Sequence, residues 1–228
     1  KADVLLTNSD FFAEFGLQYN ANSFMIGQGC DVSHFSDESN HIKIPDEIKK
    51  IPSPIIGYVG SLTALRLDIE LLENIAKQRE NWSIVLVGPE DEEFKKSNLH
   101  NLPNVYFLGS KQESELPNYV KGFDVAMNPQ LINNLTIGNY PRKIDEYLAM
   151  GKPIIATKTI AMKMFKDVVY LGETKDEYIN LIEKALDENS KELADKRILV
   201  AKSHTWKNNV NAIYNAIKEA TKGFIKWD

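Results

Sequence analysis

Arg142, Lys143 and Glu146 stand close together just after Pro141, and their types and spacing could do chemistry. Proline suits the first turn of a helix. The apolar spacing that follows predicts a helix over 142–150, stopped by Gly151. Free N–H groups and the macrodipole make a helix start positive, so acidic residues are favoured there. Two cations in that turn oppose the dipole. They make sense if an anion sits in front of them, held by side chains and backbone N–H groups together. A diphosphate would fit. The plain alternative is a solvated basic pair. Glu146 follows Lys143 by three residues, so both share one helix face. A carboxylate there can accept both hydroxyl hydrogens of a ribose diol. The alternative is a surface ion pair worth about 0–1 kcal/mol. Asp145 points to another face, where a surface charge would serve equally.

Such a group needs a frame to hold it. Apolar runs at 4–7, 24–26, 55–60, 83–88, 105–109, 125–127, 153–157 and 168–171 predict strands, the third to fifth ending in glycine. Helices are expected at 68–79, with Ile69, Leu72, Ile75 and Ala76 on one face, and at 113–121, 175–187, 190–201 and 206–221. Asn8 or Ser9 can cap an earlier helix that carries Phe11, Phe12 and Phe15 and runs to Gln18. Residues 36–51 are polar, with Pro45 among them, and read as a linker or surface connection. Strands apolar on both faces, alternating with helices, imply a parallel sheet covered on both sides and right-handed crossovers. The expected fold is an α/β, Rossmann-like domain of five or six units. Ligands bind at the carboxyl ends of strands in such sheets. Gly60, Gly88 and Gly109 therefore end strands where a ligand would sit, although glycine also serves plain tight turns. No G-x-G-x-x-G or P-loop pattern follows these strands, which weakens nicotinamide-dinucleotide and P-loop readings.

Composition narrows the field. A net charge of −5 over 228 residues makes a poor general binder of nucleic acid, and no nucleic-acid partner is expected. Cys30 is the only cysteine, so no intrachain disulfide forms and a reducing, cytoplasmic compartment fits. No apolar stretch approaches the roughly 18–20 residues that span a bilayer. Residues 1–8 lack the apolar region of a signal peptide and read as a chain entered in mid-fold. His34, His41, His100 and His204 lack metal-ligand spacing and are expected to be solvated; there is no D-x-D, and no metal site is expected. The acidic run at 90–93 suits a helix start. Ser9, Ser61 and Ser110 lack a G-x-S-x-G context, so hydrolase chemistry has little support. Trp82 and Trp206 are expected to pack, and Phe224, Ile225 and Trp227 to dock on a partner surface.

The segment E-Y-L-A-M-G-K-P-I-I-A-T, at 146–157, resembles the donor-site signature of group 1 retaining glycosyltransferases with the GT-B fold. Other pieces agree in order: A-D-V with T-N-S at 2–9, I-G-Q-G-C-D-V-S-H-F at 26–35, G-Y-V-G-S-L at 57–62, V-L-V-G-P at 85–89, V-Y-F-L-G at 105–109 and H-T-W at 204–206. The resemblance covers nearly the whole chain.

The resemblance implies an organisation. Residues 1–50 would be an interdomain junction and the edge of an N-terminal domain. Residues 51–205 would bind the nucleotide sugar, and 206–228 would pack toward a missing N-terminal acceptor domain. It implies transfer of a sugar from a UDP- or GDP-linked donor, with retention, and with no cofactor or metal. The fragment alone would bind without transferring, and a full-length protein could associate peripherally with membrane. Glu146 takes the place of the family's second motif glutamate, which binds ribose. The first, which contacts the sugar, falls on Gly138. Asn134, Thr136 or Asn139 would have to supply its hydrogen bonds. The family's arginine near the diphosphate falls near Ser61, so Arg66 and Lys143 are the catalytic candidates that stabilise the leaving diphosphate. Gly60, Ser61, the backbone from Asn139 through Tyr140 to Arg142, and the loop of Gly109, Ser110 and Lys111 facing the base complete the candidate donor site. The rival readings are a GT-B epimerase or phosphorylase, the latter without a pyridoxal-phosphate lysine signature, and a non-catalytic binding or scaffold domain.

Overall fold

Ser9 caps the first helix by accepting the Phe12 N–H on its hydroxyl. In the computed structural model, which describes residues 2–37 and 41–222, this helix, α1 (Asp10–Leu17), connects the parallel pair β1 (Leu5–Thr7) and β2 (Ser23–Met25). The chain then runs through a short α2 (Asp46–Lys49) into the main domain. Its strands are β3 (Ile55–Val59), β4 (Ser83–Val87), β5 (Val105–Gly109), β6 (Val125–Asn128), β7 (Ile154–Thr157) and β8 (Tyr170–Gly172). The helices are α3 (Ile69–Gln78), α4 (Leu116–Lys121), α5 (Lys143–Ala149), α6 (Lys175–Glu188), α7 (Lys191–Ser203) and α8 (Trp206–Ala220). No helix among the described residues is long and apolar enough to cross a membrane.

All six strands are parallel, in the order β5-β4-β3-β6-β7-β8. The chain moves outward from β3 on one side, returns to its other side at β6, and moves outward again. That reversal opens a crevice at the carboxyl ends of β3 and β6. Val59, Val85 and Ala126 belong to the core on one face of the sheet, with Ile144, Tyr147 and Phe165. Ile56, Ile84 and Met127 belong to the other, with Leu72, Ile75 and Ile182. Burial on both faces is why these strands read as unbroken apolar runs.

Several sequence expectations need correction. Of the expected connection at 36–51, residues 38–40 lie outside the described residues, and 41–51 are more than a surface connection: Ile42, Ile48 and Ile51 are buried, and Ile48 lies against Gly122 at the end of α4. Three isoleucines spaced through a polar run are enough to seat it. The last strand falls two residues later than the apolar run, because Val169 is drawn into the core beside Phe165. The turn Leu116–Lys121 of α4 is preceded by a 3₁₀ turn, Glu113–Glu115, rather than forming one helix with it. Trp82 is buried, whereas Trp206 is half exposed and covers Gly29 with one ring face. Phe224, Ile225 and Trp227 lie outside the described residues.

The acidic run is structural. Asp91 accepts the N–H groups of Phe94 and Ala64, Glu92 and Glu93 pair with Lys95 and Lys96, and Glu90 pairs with His100. Lys152, within the signature segment, donates to the carbonyls of Lys121 and Phe123 at 2.6 and 2.7 Å, closing the end of α4. Burial pulls its pKa down to about 8. That part of the signature therefore serves the fold.

Candidate functional site

The crevice is built by three loops and one helix. The loops leaving β3 and β6 are sewn together: Asp68 N–H donates to Pro129 O, Leu131 N–H to Arg66 O and the Asn133 amide to Leu65 O. Helix α5 is fastened to the end of β3 through Tyr147, whose hydroxyl accepts the Val59 N–H at 2.9 Å. One turn earlier on that helix, Lys143 stands beside Gly60. A methyl group added at Gly60 would lie 3.2 Å from Lys143 Cε and 3.0 Å from Tyr58 Oη. The ammonium sits 4.9 Å from the centre of the Tyr58 ring, a cation–π contact. Among the described residues no carboxylate forms an ion pair with Lys143, and its ammonium rests on the Tyr58 ring beside Gly60.

Glu146 pairs with Arg142 rather than with Lys143, at 3.3 Å, four residues apart. The Glu146 side chain is 15% exposed and that of Arg142 52%. Burial raises the Glu146 pKa, and Arg142 and Lys143 oppose the rise. Glu113, in the turn after β5, adds repulsion, which places that turn within electrostatic reach of Glu146. The two cations and the carboxylate are thus together at the sheet's edge. Helix α5 starts at Lys143, with Arg142 at its cap position and no side-chain cap bond.

The other candidates separate into two groups. Ser61, Arg66, Gly109 and Ser110 are exposed, and Asn139 is half-buried. Gly109 takes the left-handed φ of 68° that glycine favours. Lys111 is engaged: its ammonium pairs with Glu47 at 2.8 Å and lies over Tyr119. Thr136 is buried, and its hydroxyl donates to Leu131 O and accepts the Asn133 N–H. Tyr140 is 3% exposed and its hydroxyl donates to Asp145. Thr136 and Tyr140 therefore hold the loop from within, and their own side chains do not face outward. Gly138 is buried where Phe11 and Phe12 of α1 close over it, and its carbonyl accepts the Ser9 hydroxyl at 2.8 Å. A side chain at 138 would meet both rings, Phe12 at 3.0 Å. The glycine that departs from the family motif is matched by this aromatic pair.

Asp145, expected to be as well placed on the surface, is fully buried. It accepts Tyr140 Oη–H at 2.6 Å and His204 Nδ1–H at 2.7 Å. His204 is therefore not a solvated loop histidine. Nor is His100, which stacks on Phe107 at 3.9 Å, and His34 contacts the Glu113 carbonyl through Nε2 at 3.0 Å. Burial pushes the thiol of Cys30 up to about 12, with Asp145 and Glu146 adding to it. A separate cavity of about 610 Å³ opens farther along the same sheet edge, between Ile132, Ile137, Ile160 and Leu171, with Lys158 at its rim paired to Glu173.

The family model for glycosyl transferases group 1 matches residues 53–202, which contain β3 to β8 and the whole crevice. The chain belongs to this family. TuaH of Bacillus subtilis, provisionally named as a teichuronic acid biosynthesis glycosyltransferase, is 28% identical over 176 residues, covering 73% of this chain and 43% of TuaH. The chain is also similar in fold to Anabaena HepE, solved in complex with UDP, with a TM-score of 0.74 and 17% identity over 97% of this chain and 64% of HepE. Sucrose-phosphate synthase of Thermosynechococcus elongatus gives a TM-score of 0.73 at 18% identity, over 97% of this chain and 59% of that one. The chain thus spans less than two thirds of these relatives. Within this glycosyl transferase domain, sequence reasoning missed Tyr58 and Tyr147. Tyr58 is a phenol in an otherwise apolar strand and Tyr147 a phenol on the buried face of α5, and a buried phenol needs a partner. That was the available signal.

Proposed function

We propose that this chain is the donor-binding part of a glycosyltransferase that moves a sugar from a nucleoside diphosphate sugar to an acceptor. One observation carries the reading. Lys143 is held over Tyr58 at the end of the central strand, and Glu146 sits one turn further along the same helix. Lys143 would meet the diphosphate, where negative charge grows as the sugar leaves. Arg142 is exposed and only weakly tied to Glu146, so turning it toward phosphate costs about 0–1 kcal/mol. Glu146, released from Arg142, would accept the two ribose hydroxyls. Arg66, exposed on the loop after β3, is the further cation that a bound diphosphate would draw in.

UDP is the first nucleotide to test, because HepE and this chain share a fold and HepE structures hold UDP and UDP-glucose. Retention of configuration, transfer without a metal and a hexose as the donated sugar follow from the family resemblance. Acceptor recognition belongs to an N-terminal domain outside this chain, so the chain alone binds nucleotide without transferring sugar. Calorimetric titration of the chain with UDP and with GDP tests the reading. Saturable binding of either supports it, and absence of heat with both overturns it.

A further inference from the structure

Asp145 joins two parts of the molecule that are distant in sequence. On one side is Tyr140, which begins the turn carrying Arg142 and Lys143. On the other is His204, at the C-terminal cap of α7, whose carbonyl accepts the Cys30 N–H at 2.9 Å. Phe165 packs edge-on against both rings, at 5.7 and 5.6 Å. A few residues on, Asn209 of α8 donates to the Ile26 carbonyl at 2.9 Å. The buried carboxylate is therefore the link between the 140–143 turn and the place where segment 26–30 crosses the α7–α8 junction.

A buried carboxylate left short of a donor is costly, so the three groups have one well-satisfied arrangement. Burial and the charge of Asp145 hold Tyr140 protonated, so it stays a donor. The turn it opens has no side-chain cap of its own at Arg142.

We propose that Asp145, Tyr140 and His204 are positioning residues of the donor site: they set the turn that presents Arg142 and Lys143, and they register it against segment 26–30. This rests on the reading of 140–146 as a phosphate and diol socket. The test is the UDP affinity of the 228-residue chain, measured by calorimetry, for wild type and for His204→Phe, His204→Asn, Lys143→Ala and the double variant of His204→Phe with Lys143→Ala. Phenylalanine keeps the ring against Phe165 and removes the donor, whereas asparagine keeps a donor where Nδ1 stood. His204→Phe is expected to weaken UDP about fivefold or more, and His204→Asn to stay within about twofold of wild type. In the Lys143→Ala background the His204→Phe effect should fall below about twofold, because it acts through that turn. Equal weakening in both backgrounds, or wild-type affinity in His204→Phe, overturns the network. Should His204→Phe fail to fold, Tyr140→Phe replaces it in the same comparison with the same expectations. If Lys143→Ala has no effect, the socket reading fails and takes the network with it. A weakened Lys143→Ala beside an unaffected His204→Phe overturns the network alone.

Discussion

The hydroxyl of Tyr147 accepts the backbone N–H of Val59 at 2.9 Å, so the helix bearing Lys143 and Glu146 is anchored to the last residue of the central strand. Val59 lies beyond the register that β3 shares with β6, which pairs only Ile56 and Gly57. Tyr147 supplies the acceptor there. Tyr147→Phe leaves a buried N–H unpaired, at about 1–3 kcal/mol. Thermal unfolding should show a midpoint lower by about 2–10 °C for a chain of this length. An unchanged midpoint would show that the anchor contributes nothing.

Gly138 has no room for the glutamate that the family motif places there. Gly138→Glu would drive a side chain into Phe11 and Phe12, and overpacking of this kind costs about 1–3 kcal/mol. The variant is expected to unfold at lower temperature and to bind UDP-glucose no better than UDP, compared by calorimetry. Tighter binding of the sugar nucleotide with stability retained would show that position 138 opens to the donor after all.

Glu146 is expected to trade stability for binding. Its folded-state pKa is raised, first by burial. A carboxyl of this kind stabilises the fold fully below its ordinary pKa of 4.5 and loses that contribution as pH rises through the folded value. At pH 7 the ionised group is therefore a burden, and Glu146→Gln should melt at or above the wild-type temperature. Near pH 4, where the wild-type carboxyl is protonated, the difference should close. The amide has one oxygen to offer a diol, so UDP affinity should fall about fivefold to tenfold. Scans at both pH values, with calorimetry at pH 7, check the pair of outcomes. A variant less stable at pH 7 that binds UDP as wild type does would contradict the assignment.

Much of the frame was legible in the sequence, for a physical reason: strands buried on both faces leave unbroken apolar runs, and α3 announces itself through Ile69, Leu72 and Ile75. Lys143 and Glu146 could be placed on one helix face because helical spacing is local. What lay outside the sequence was each group's partner. Glu146 had cations three and four residues before it, and spacing alone permits either; the structure pairs it with Arg142. Asp145 resembled any charge on a helix, since His204, its partner, lies 59 residues away. The seating of residues 41–51 depended on contacts of Ile44 and Ile48 with Gly122, which no local pattern reports. The glycine at 138 became intelligible only when α1 was seen to close over it.

The most direct measurement of the central claim is the UDP dissociation constant of Lys143→Ala against wild type, by calorimetry at two salt concentrations. Loss of a charge-assisted contact to phosphate is expected to weaken binding about tenfold or more, and to reduce its salt dependence. The same affinity and the same salt dependence in both proteins would contradict the placement of the diphosphate at this helix.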